Sequence, residues 1–229
     1  MIQPIPGVRG AQAYLHRGTD GLAIIDPGYI GSFRAVLRFV KQQALGPIEW
    51  VILTHHHIDH AGAAFALCQA TGARLALHRD DAPYLRRGRP RNRMTLWGLA
   101  ERLPPRLASY VIATAAGEVR LLEDGDVIAG LTVVHCPGHT PGSICLHSRS
   151  EPALFLGDVL NNERGIRTPP WTVNHSHRRA RLAPQRLEGL QFEQAHFGHG
   201  PSILTGADQQ VRAFLTRRRL VPAPPIGRL

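Results

Sequence analysis

The sequence contains little lysine and little cysteine. Of its 27 basic residues only Lys41 is a lysine, and the others are arginines. Such a preference is typical of coding bias in a GC-rich genome, so the formal charge of +10 is weak evidence for a nucleic-acid partner. The three cysteines, Cys68, Cys136 and Cys145, form neither a Cys-x-x-Cys pair nor an even set, which favours reduced thiols over disulfides.

Signals for targeting and for domain boundaries are also missing. No apolar run reaches the roughly 20 residues needed to cross a bilayer, and the first ten residues lack the charged and apolar regions of a signal peptide. We therefore expect a cytoplasmic location. No linker, repeat or low-complexity tract divides the 229 residues, which predicts one domain over residues 1–229 with a tail at 220–229.

The most informative segment that is present covers residues 54–60 and has the sequence Thr-His-His-His-Ile-Asp-His. Residues 49–53 before it are apolar and partly β-branched, which predicts a buried strand, and the small residues at 61–70 predict a helix. The segment therefore lies on a predicted strand-to-helix turn. The competing interpretation, a solvated histidine-rich loop, accounts for neither the interleaved aspartate nor the strand.

Four side chains of this segment are predicted metal ligands. In an extended stretch alternate side chains lie on the same side, so His55 and His57 can bind one cation while His56 points away. Asp59 and His60 begin the predicted helix, and their offset suits a second, adjacent cation. Imidazole and carboxylate are typical ligands of zinc, and of iron or manganese where oxygen donors dominate.

Three further candidate ligands lie downstream. His139 and Asp158 each follow a short apolar run that predicts a strand. His199 lies between two glycines, which let the backbone turn tightly around a bound group. Each of the three alone is explained equally well by capping or hydrogen bonding. Together with residues 54–60 they indicate one metal centre.

The chain resembles the metallo-β-lactamase superfamily in these residues and in their order along the sequence. Asp26, within Ile-Ile-Asp-Pro-Gly, belongs to the same pattern. The resemblance spans residues 26–199. It implies an α/β fold, namely an αββα four-layer sandwich of two mixed β-sheets with outer helices. Apolar and alternating runs on both sides of a predicted turn at 19–21, helical spacing at 33–44 and a strand predicted at 127–134 support such a layered domain.

The same resemblance implies a site with two metal ions, most simply two Zn²⁺, with Fe or Mn as alternatives. Asp158 bridges the ions in this scheme, and Asp26 orients the ligand loop without binding metal. Asp59 shares the catalytic role with Asp158, because it can orient a bridging hydroxide and pass its proton to the leaving group. One ion is bound by His55, His57 and His139, and the other by Asp59, His60 and His199.

The resemblance points to a glyoxalase II-like or lactonase-like branch rather than to the true β-lactamases, although one residue departs from the lactonase pattern. True β-lactamases of the superfamily lack the bridging aspartate that Asp158 matches, and its lactonases tend to have a tyrosine where this chain has Asn161. We therefore predict a metal-dependent hydrolase of a small ester, thioester, lactone or related small-molecule substrate. Trp97, Asn161 and Trp171 are candidate walls of its pocket, with core packing as the competing interpretation of the tryptophans.

One alternative to hydrolysis is oxidation. A mononuclear iron enzyme similar to the persulfide dioxygenases of the superfamily would use His55, His139 and Asp158 as a set of two histidines and one carboxylate.

Another alternative rests on an arginine cluster at residues 86–93, followed by apolar helical spacing at 94–103. These features suit a lid or insert within residues 86–117, or a surface that binds an anionic polymer or a membrane. A solvated loop is the competing interpretation. The sequence leaves the oligomeric state open.

Overall fold

The structure is a computed structural model that describes residues 1–18, 21–87 and 119–220. Three sequence predictions concern residues outside these ranges. They are the turn at 19–20, most of the arginine-rich segment with Trp97, and the tail that follows residue 220.

A six-stranded mixed sheet forms one half of the fold, with its strands in sequence order. Strands β1 to β3 are antiparallel, whereas β3 to β6 are parallel. The parallel strands β3 and β4 are mostly buried and rich in Ile, Val and Leu, as is typical of strands covered on both faces, whereas β6 at the edge is partly exposed. The strands are β1 Ile2–Pro4, β2 Tyr14–Gly18, β3 Gly21–Ile25, β4 Ile48–Ile52, β5 Arg74–His78 and β6 Val119–Leu122.

A five-stranded mixed sheet in the order β11-β10-β9-β8-β7 forms the other half. Its only parallel pair among the described residues is β10 with β11. The strands are β7 Val127–Ile128, β8 Leu131–His135, β9 Ile144–Ser148, β10 Ala153–Gly157 and β11 Gln194–Phe197.

Helices cover the outer faces of the sheets. In the described part of the chain, no helix combines the length and the apolar composition that crossing a bilayer requires. The helices are α1 Phe33–Gln43, α2 Ile58–Ala61, α3 Ala64–Thr71, α4 Ala82–Arg87, α5 His177–Leu182 and α6 Ala207–Leu220.

The two sheets pack face to face over a shared core. Trp50 and Ile52 of the first sheet belong to one buried cluster with Leu131 and Phe155 of the second. On the outer sides, α1 and α3 pack against the first sheet and α6 packs against the second. This order of helix, sheet, sheet and helix confirms the predicted αββα sandwich.

Strand direction brings the candidate site residues together. The parallel strands β3 and β4 end at the same edge of the first sheet, so Asp26 and residues 54–57 leave that edge side by side. In the second sheet, the parallel strands β10 and β11 lead directly to Asp158 and to residues 198–200. Side chains from both sheets can therefore meet at one edge of the sandwich.

Two predicted elements differ from the structure. The predicted helix at 61–70 is broken at Gly62, where a Cβ atom would lie only 2.5 Å from the carbonyl oxygen of Ile58 and 2.8 Å from the amide of Ile30. The predicted continuous strand at 127–134 is a hairpin, because Ala129 and Gly130 both have positive φ angles, of 51° and 73°. Apolar spacing in the sequence identifies buried segments, but it does not show where the backbone breaks or reverses direction within them.

Tyr14 connects the two sheets through its hydroxyl group, and we expect its loss to be measurable. Burial raises the pKa of Tyr14 to about 12, so the hydroxyl stays protonated and donates to the carbonyl oxygen of Phe197 at 2.8 Å. Tyr14→Phe should lower the free energy of unfolding by about 1 to 2 kcal/mol, since that carbonyl loses its partner in the core.

Thermal unfolding is the measurement, with a fall of roughly 2 to 4 °C per kcal/mol for a chain of this size. Tyr29→Phe, at a partly exposed side chain, is the control. Equal melting temperatures for wild type and Tyr14→Phe would exclude a stabilising role for the hydroxyl.

Candidate metal centre

Two clusters of candidate ligands lie next to each other at the edge of the sandwich. In each cluster, one ligand atom from every residue lies within 4.8 Å of the others. A third overlapping group, of His55, His60 and Asp158, connects them. The first cluster is His55, His57 and His139, and the second is Asp59, His60 and His199.

The first cluster has distances suited to a single cation. Nε2 of His139 lies 2.9 Å from Nδ1 of His57 and 3.4 Å from Oδ2 of Asp158. The ring of His55 completes the group, with its centroid 4.7 Å from that of His139. Two atoms that bind one zinc ion at about 2.1 Å are separated by roughly 3.0 to 3.4 Å at ligand angles between 90° and tetrahedral.

The second cluster has similar spacing around the other oxygen of Asp158. Nε2 of His199 lies 3.2 Å from Oδ2 of Asp59 and 3.6 Å from Oδ1 of Asp158. Nε2 of His60 lies 3.4 Å from that same Oδ1. The two carboxylate oxygens of Asp158 thus face different clusters, which is the geometry of a bridging ligand.

The electrostatics of the centre favour a cation. Burial alone would lower the pKa of His60, but the carboxylates of Asp26, Asp158 and Asp59 raise it well above its usual value. Burial would likewise raise the pKa of Asp158, yet the neighbouring imidazoles of His60, His139 and His199 hold it below its usual range. Ionised carboxylates in a buried pocket attract positive charge strongly.

Two buried atoms give a direct test of whether these residues fit a metal. Nε2 of His60 and Oδ1 of Asp158 form no hydrogen bond with any described residue. A buried polar atom without a hydrogen bond is costly, and a bound metal ion satisfies both atoms at once. The donor set, imidazole nitrogens with carboxylate oxygens, is also one that zinc and iron accept.

A comparison with known proteins identifies the family. The family model of the metallo-beta-lactamase superfamily matches residues 6–206. The chain belongs to this superfamily. It is 32% identical over 167 residues to the acyl-coenzyme A thioesterase MBLAC2 of Homo sapiens, a match that covers 66% of this chain and 58% of that protein. The chain thus spans less than two thirds of the length of this relative.

Other proteins match this chain over most of both lengths. The probable metallo-hydrolase YqgX of Bacillus subtilis is 27% identical over 205 residues, which cover 87% of this chain and 90% of YqgX. The crystal structure of TTHA1623 in a di-iron-bound form has a TM-score of 0.66 and 27% identity, over 88% of this chain and 93% of that one. These matches confirm the predicted membership of the metallo-beta-lactamase superfamily, and the ligand clusters support a dinuclear metal site.

In this superfamily member, Asp26 contacts the candidate ligands without facing either cluster. Its Oδ1 accepts from the amide of Thr54 at 2.8 Å, and its Oδ2 accepts from the Thr54 hydroxyl at 2.6 Å. The same Oδ2 lies 2.8 Å from Nδ1 of His60. This contact places the proton on Nδ1 and leaves Nε2 of His60 available to a metal.

Asn174 orients His139 in the same way, although it was not predicted from the sequence. Its Oδ1 lies 2.9 Å from Nδ1 of His139, while its Nδ2 donates to the carbonyl oxygens of Pro169 and Pro170. These carbonyls fix the orientation of the amide, so Nδ1 of His139 carries the proton and Nε2 is left for the metal. An isolated asparagine in a long loop has no distinguishing sequence pattern.

Asp81 ties the two histidine-bearing loops together and was also missed. Its Oδ2 accepts from the amide of His56 at 2.9 Å and from the hydroxyl of Thr140 at 2.8 Å, and its Oδ1 accepts from the amide of Gly142 at 2.6 Å. Burial would raise the pKa of Asp81, but the charge of His56 and these hydrogen bonds lower it. An ionised, buried carboxylate thus holds residues 54–60 beside the loop of His139.

The predicted pocket residues are placed unevenly. Asn161 is buried and its Oδ1 has no hydrogen-bond partner among the described residues, whereas Trp171 is 64% exposed on a short 3-10 helix. The exposure of Trp171 argues against the core-packing interpretation.

Another group with metal-ligand spacing is His78, Asp80 and His135. The imidazole rings of His78 and His135 stack, with their centroids 3.8 Å apart and their planes 16° from parallel, an arrangement typical of ring packing.

Replacement of Asp81 should weaken metal binding although Asp81 belongs to neither ligand cluster. Asp81→Asn replaces one acceptor oxygen with an amide donor that faces donors, so the two loops should lose their fixed spacing. We expect metal affinity to fall about 10- to 100-fold, the usual effect of removing a group that orients ligands. Competition with a chromogenic chelator measures the affinity.

Asp80→Asn, at the adjacent and half-exposed carboxylate, is the matched control and should leave metal affinity unchanged. If Asp81→Asn binds metal as tightly as the control, the loops do not depend on Asp81.

Gly198 gives a second test, because its backbone lies directly against two candidate ligands. A Cβ atom at this position would be 2.6 Å from Oδ1 of Asp158 and 2.6 Å from Cε1 of His60. Gly198→Ala should displace one of these side chains and reduce the metal bound per chain, as measured by elemental analysis after dialysis. Gly31→Ala, where the nearest atom is the flexible end of Arg9, controls for adding a methyl group. Full metal content in Gly198→Ala would show that the pocket tolerates the displacement.

Proposed function

We propose that this chain is a dinuclear hydrolase of acyl thioesters. The observation that carries the proposal is the position of Asp158, whose two oxygens face two separate ligand clusters. In the proposed site, Asp158 would belong to the ligand sets of both metal ions. One ion is bound by His55, His57 and His139, and the other by Asp59, His60 and His199.

Two metal ions bound there supply hydroxide at neutral pH and positive charge for the anion that develops at the carbonyl. Asp26 and Asn174 keep the protons of His60 and His139 on Nδ1, so that both Nε2 atoms face the pocket. The site thereby holds its ligands in the correct tautomer before substrate arrives.

Asp59 is the residue we assign to proton transfer. Burial would raise its pKa, but His60 and His199 lower it, so Asp59 is ionised at neutral pH and can accept a proton from the attacking water. His199 is a quarter exposed, and its contact with Asp59 therefore lies on the side of the pocket that is open to solvent. A leaving thiolate on that side can take the proton from Asp59.

The preference for a thioester substrate rests on the similarity to named thioesterases and on the solvent-exposed side of the pocket. The MBLAC2 relatives are named acyl-coenzyme A thioesterases, and three of them are 32 to 36% identical to this chain over about 167 residues. Trp171 offers an exposed apolar surface near His139, to which its loop is joined by Asn174. Such a surface suits the acyl chain or the carrier arm of a thioester.

Zinc is the metal we assign to both positions, with iron or manganese as the alternatives. The iron-oxygenase alternative needs only His55, His139 and Asp158, and it gives no role to the contact between His199 and Asp59. Two metal ions per chain, without oxygen consumption, would distinguish the hydrolase from that oxygenase.

The central experiment compares substrates on protein of known metal content. Zinc-loaded protein is assayed against acyl-coenzyme A, a carboxylic ester, a lactone, a phosphodiester and a cephalosporin. We expect acyl-coenzyme A to give the highest kcat/KM, chelation to abolish turnover and zinc to restore it. Faster cleavage of any other substrate class, or turnover that survives complete metal removal, would overturn the proposal.

Asp158→Asn tests the bridging role within the same assay. The amide cannot supply two anionic oxygens, so we expect loss of at least one metal ion per chain and a fall in kcat of more than about 100-fold. Asp80→Asn is again the control, with wild-type activity expected. A variant with two bound metal ions and normal turnover would refute the bridge.

A further inference from the structure

Tyr29 lies beside the second ligand cluster, on the loop that follows β3. The residue before it, Gly28, donates its amide hydrogen to the carbonyl oxygen of His60 at 3.0 Å. The amide of Tyr29 itself donates to the carbonyl oxygen of Arg9 at 2.9 Å. These two backbone hydrogen bonds fix the start of the Tyr29 side chain next to α2, the helix that carries Asp59 and His60.

The ring of Tyr29 packs on Gly10, and so does the backbone of Asp59. A Cβ atom at Gly10 would lie 2.8 Å from the ring and 2.7 Å from the carbonyl oxygen of Asp59. That carbonyl accepts from the amide of Ala11 at 2.9 Å, which holds the three segments together. Because Gly10 has no side chain, the aromatic ring reaches the backbone of a candidate metal ligand.

The hydroxyl of Tyr29 is available to a substrate. The side chain is 38% exposed, and its hydroxyl forms no hydrogen bond with any residue in the described ranges. The hydroxyl of Tyr14, in contrast, already donates to a carbonyl oxygen of the core. Burial and the charge of Asp59 raise the pKa of Tyr29, and the charge of His60 opposes them, so the hydroxyl is a protonated donor at neutral pH.

Thioester hydrolysis creates a need for such a donor. Hydroxide forms a bond to the carbonyl carbon, the C–S bond breaks, and the sulfur leaves with the electron pair as a thiolate. In the proposed site, the thiolate takes its proton from Asp59 on the solvent-exposed side of the pocket. A hydrogen-bond donor beside Asp59 stabilises the sulfur while negative charge builds up on it.

We propose that Tyr29 is a further catalytic residue, which donates a hydrogen bond to the leaving sulfur of the substrate. This inference rests on the proposed thioesterase function and specifies how its leaving group is bound. Tyr29 keeps its proton throughout, and Asp59 supplies the proton that ends on the thiol. Hydrolysis of thioesters of basic alkyl thiols therefore depends on Tyr29, whereas hydrolysis of thioesters of acidic thiols does not.

The test compares Tyr29→Phe with the control Tyr84→Phe on thioesters that share one acyl group. The ring of Tyr84 is partly buried and stacks on His56 with centroids 4.5 Å apart, a contact that phenylalanine preserves. The S-ethyl, S-phenyl and S-(4-nitrophenyl) thioesters release thiolates of decreasing basicity. We expect Tyr29→Phe to lower kcat about 10- to 100-fold for the S-ethyl thioester and progressively less along the series, the loss of a hydrogen bond to a developing charge.

The control should change kcat by the same factor for all three thioesters. Equal losses on the three substrates in Tyr29→Phe, or the same graded loss in Tyr84→Phe, would reject the role of Tyr29 and leave the proposed function intact. Wild-type protein that cleaves oxygen esters and no thioester would reject the thioesterase function. The matching ethyl, phenyl and 4-nitrophenyl esters then test Tyr29 separately, since a graded loss supports a leaving-group donor and a uniform loss rejects it.

Metal content and thermal stability separate this role from a structural one. Tyr29→Phe should bind as much metal per chain as the wild type and should melt at the same temperature, because its hydroxyl has no hydrogen-bond partner among the described residues. Elemental analysis after dialysis and thermal unfolding measure the two quantities. Loss of metal or a clear fall in melting temperature would show that the hydroxyl supports the ligand loop, and would overturn the proposal.

Discussion

The centre depends on one electrostatic constraint: Asp26, Asp59 and Asp158 gather around His60 in a largely buried pocket. Like charges at such distances repel, and burial removes the water that would screen them. Protonated imidazoles can balance part of this charge, whereas metal cations bound there would balance it and would also satisfy the buried nitrogen and oxygen atoms. The hydrogen bonds that fix each imidazole have a function only because of this constraint.

The residues that surround the two ligand clusters hold the candidate ligands in place. Asp81 joins two loops by accepting hydrogen bonds from their backbones, and Asn174 sets both the tautomer of His139 and the path of the loop that carries Trp171. Gly198 contributes by having no side chain where Asp158 and His60 approach the backbone. Asp26 has a φ angle of 50°, in the left-handed region that few residues other than glycine, asparagine and aspartate adopt, and its three contacts offset this strain.

The sequence predicted much of this arrangement, for physical reasons. Sequence patterns identified His55, His57, His139 and Asp158 as candidate ligands because each follows an apolar run that predicts a strand. Strand ends lie at sheet edges, where such side chains can meet. The break at Gly62 and the reversal at residues 129–130 were not predicted, since they depend on close approach and on backbone angles rather than on apolar spacing. Asp81 and Asn174 were missed because their partners are distant in sequence. The cytoplasmic location and the lid stay predictions.

The candidate ligands come from both sheets, so metal binding would constrain the whole fold. Residues 55–60 follow the first sheet, whereas His139, Asp158 and His199 follow strands of the second. A bound ion is therefore a cross-link between the two halves of the sandwich, comparable to a reversible covalent bridge. The binding free energy of such an ion would add to folding stability by mass action, so we expect the stability of the folded protein to rise with the free metal concentration around it.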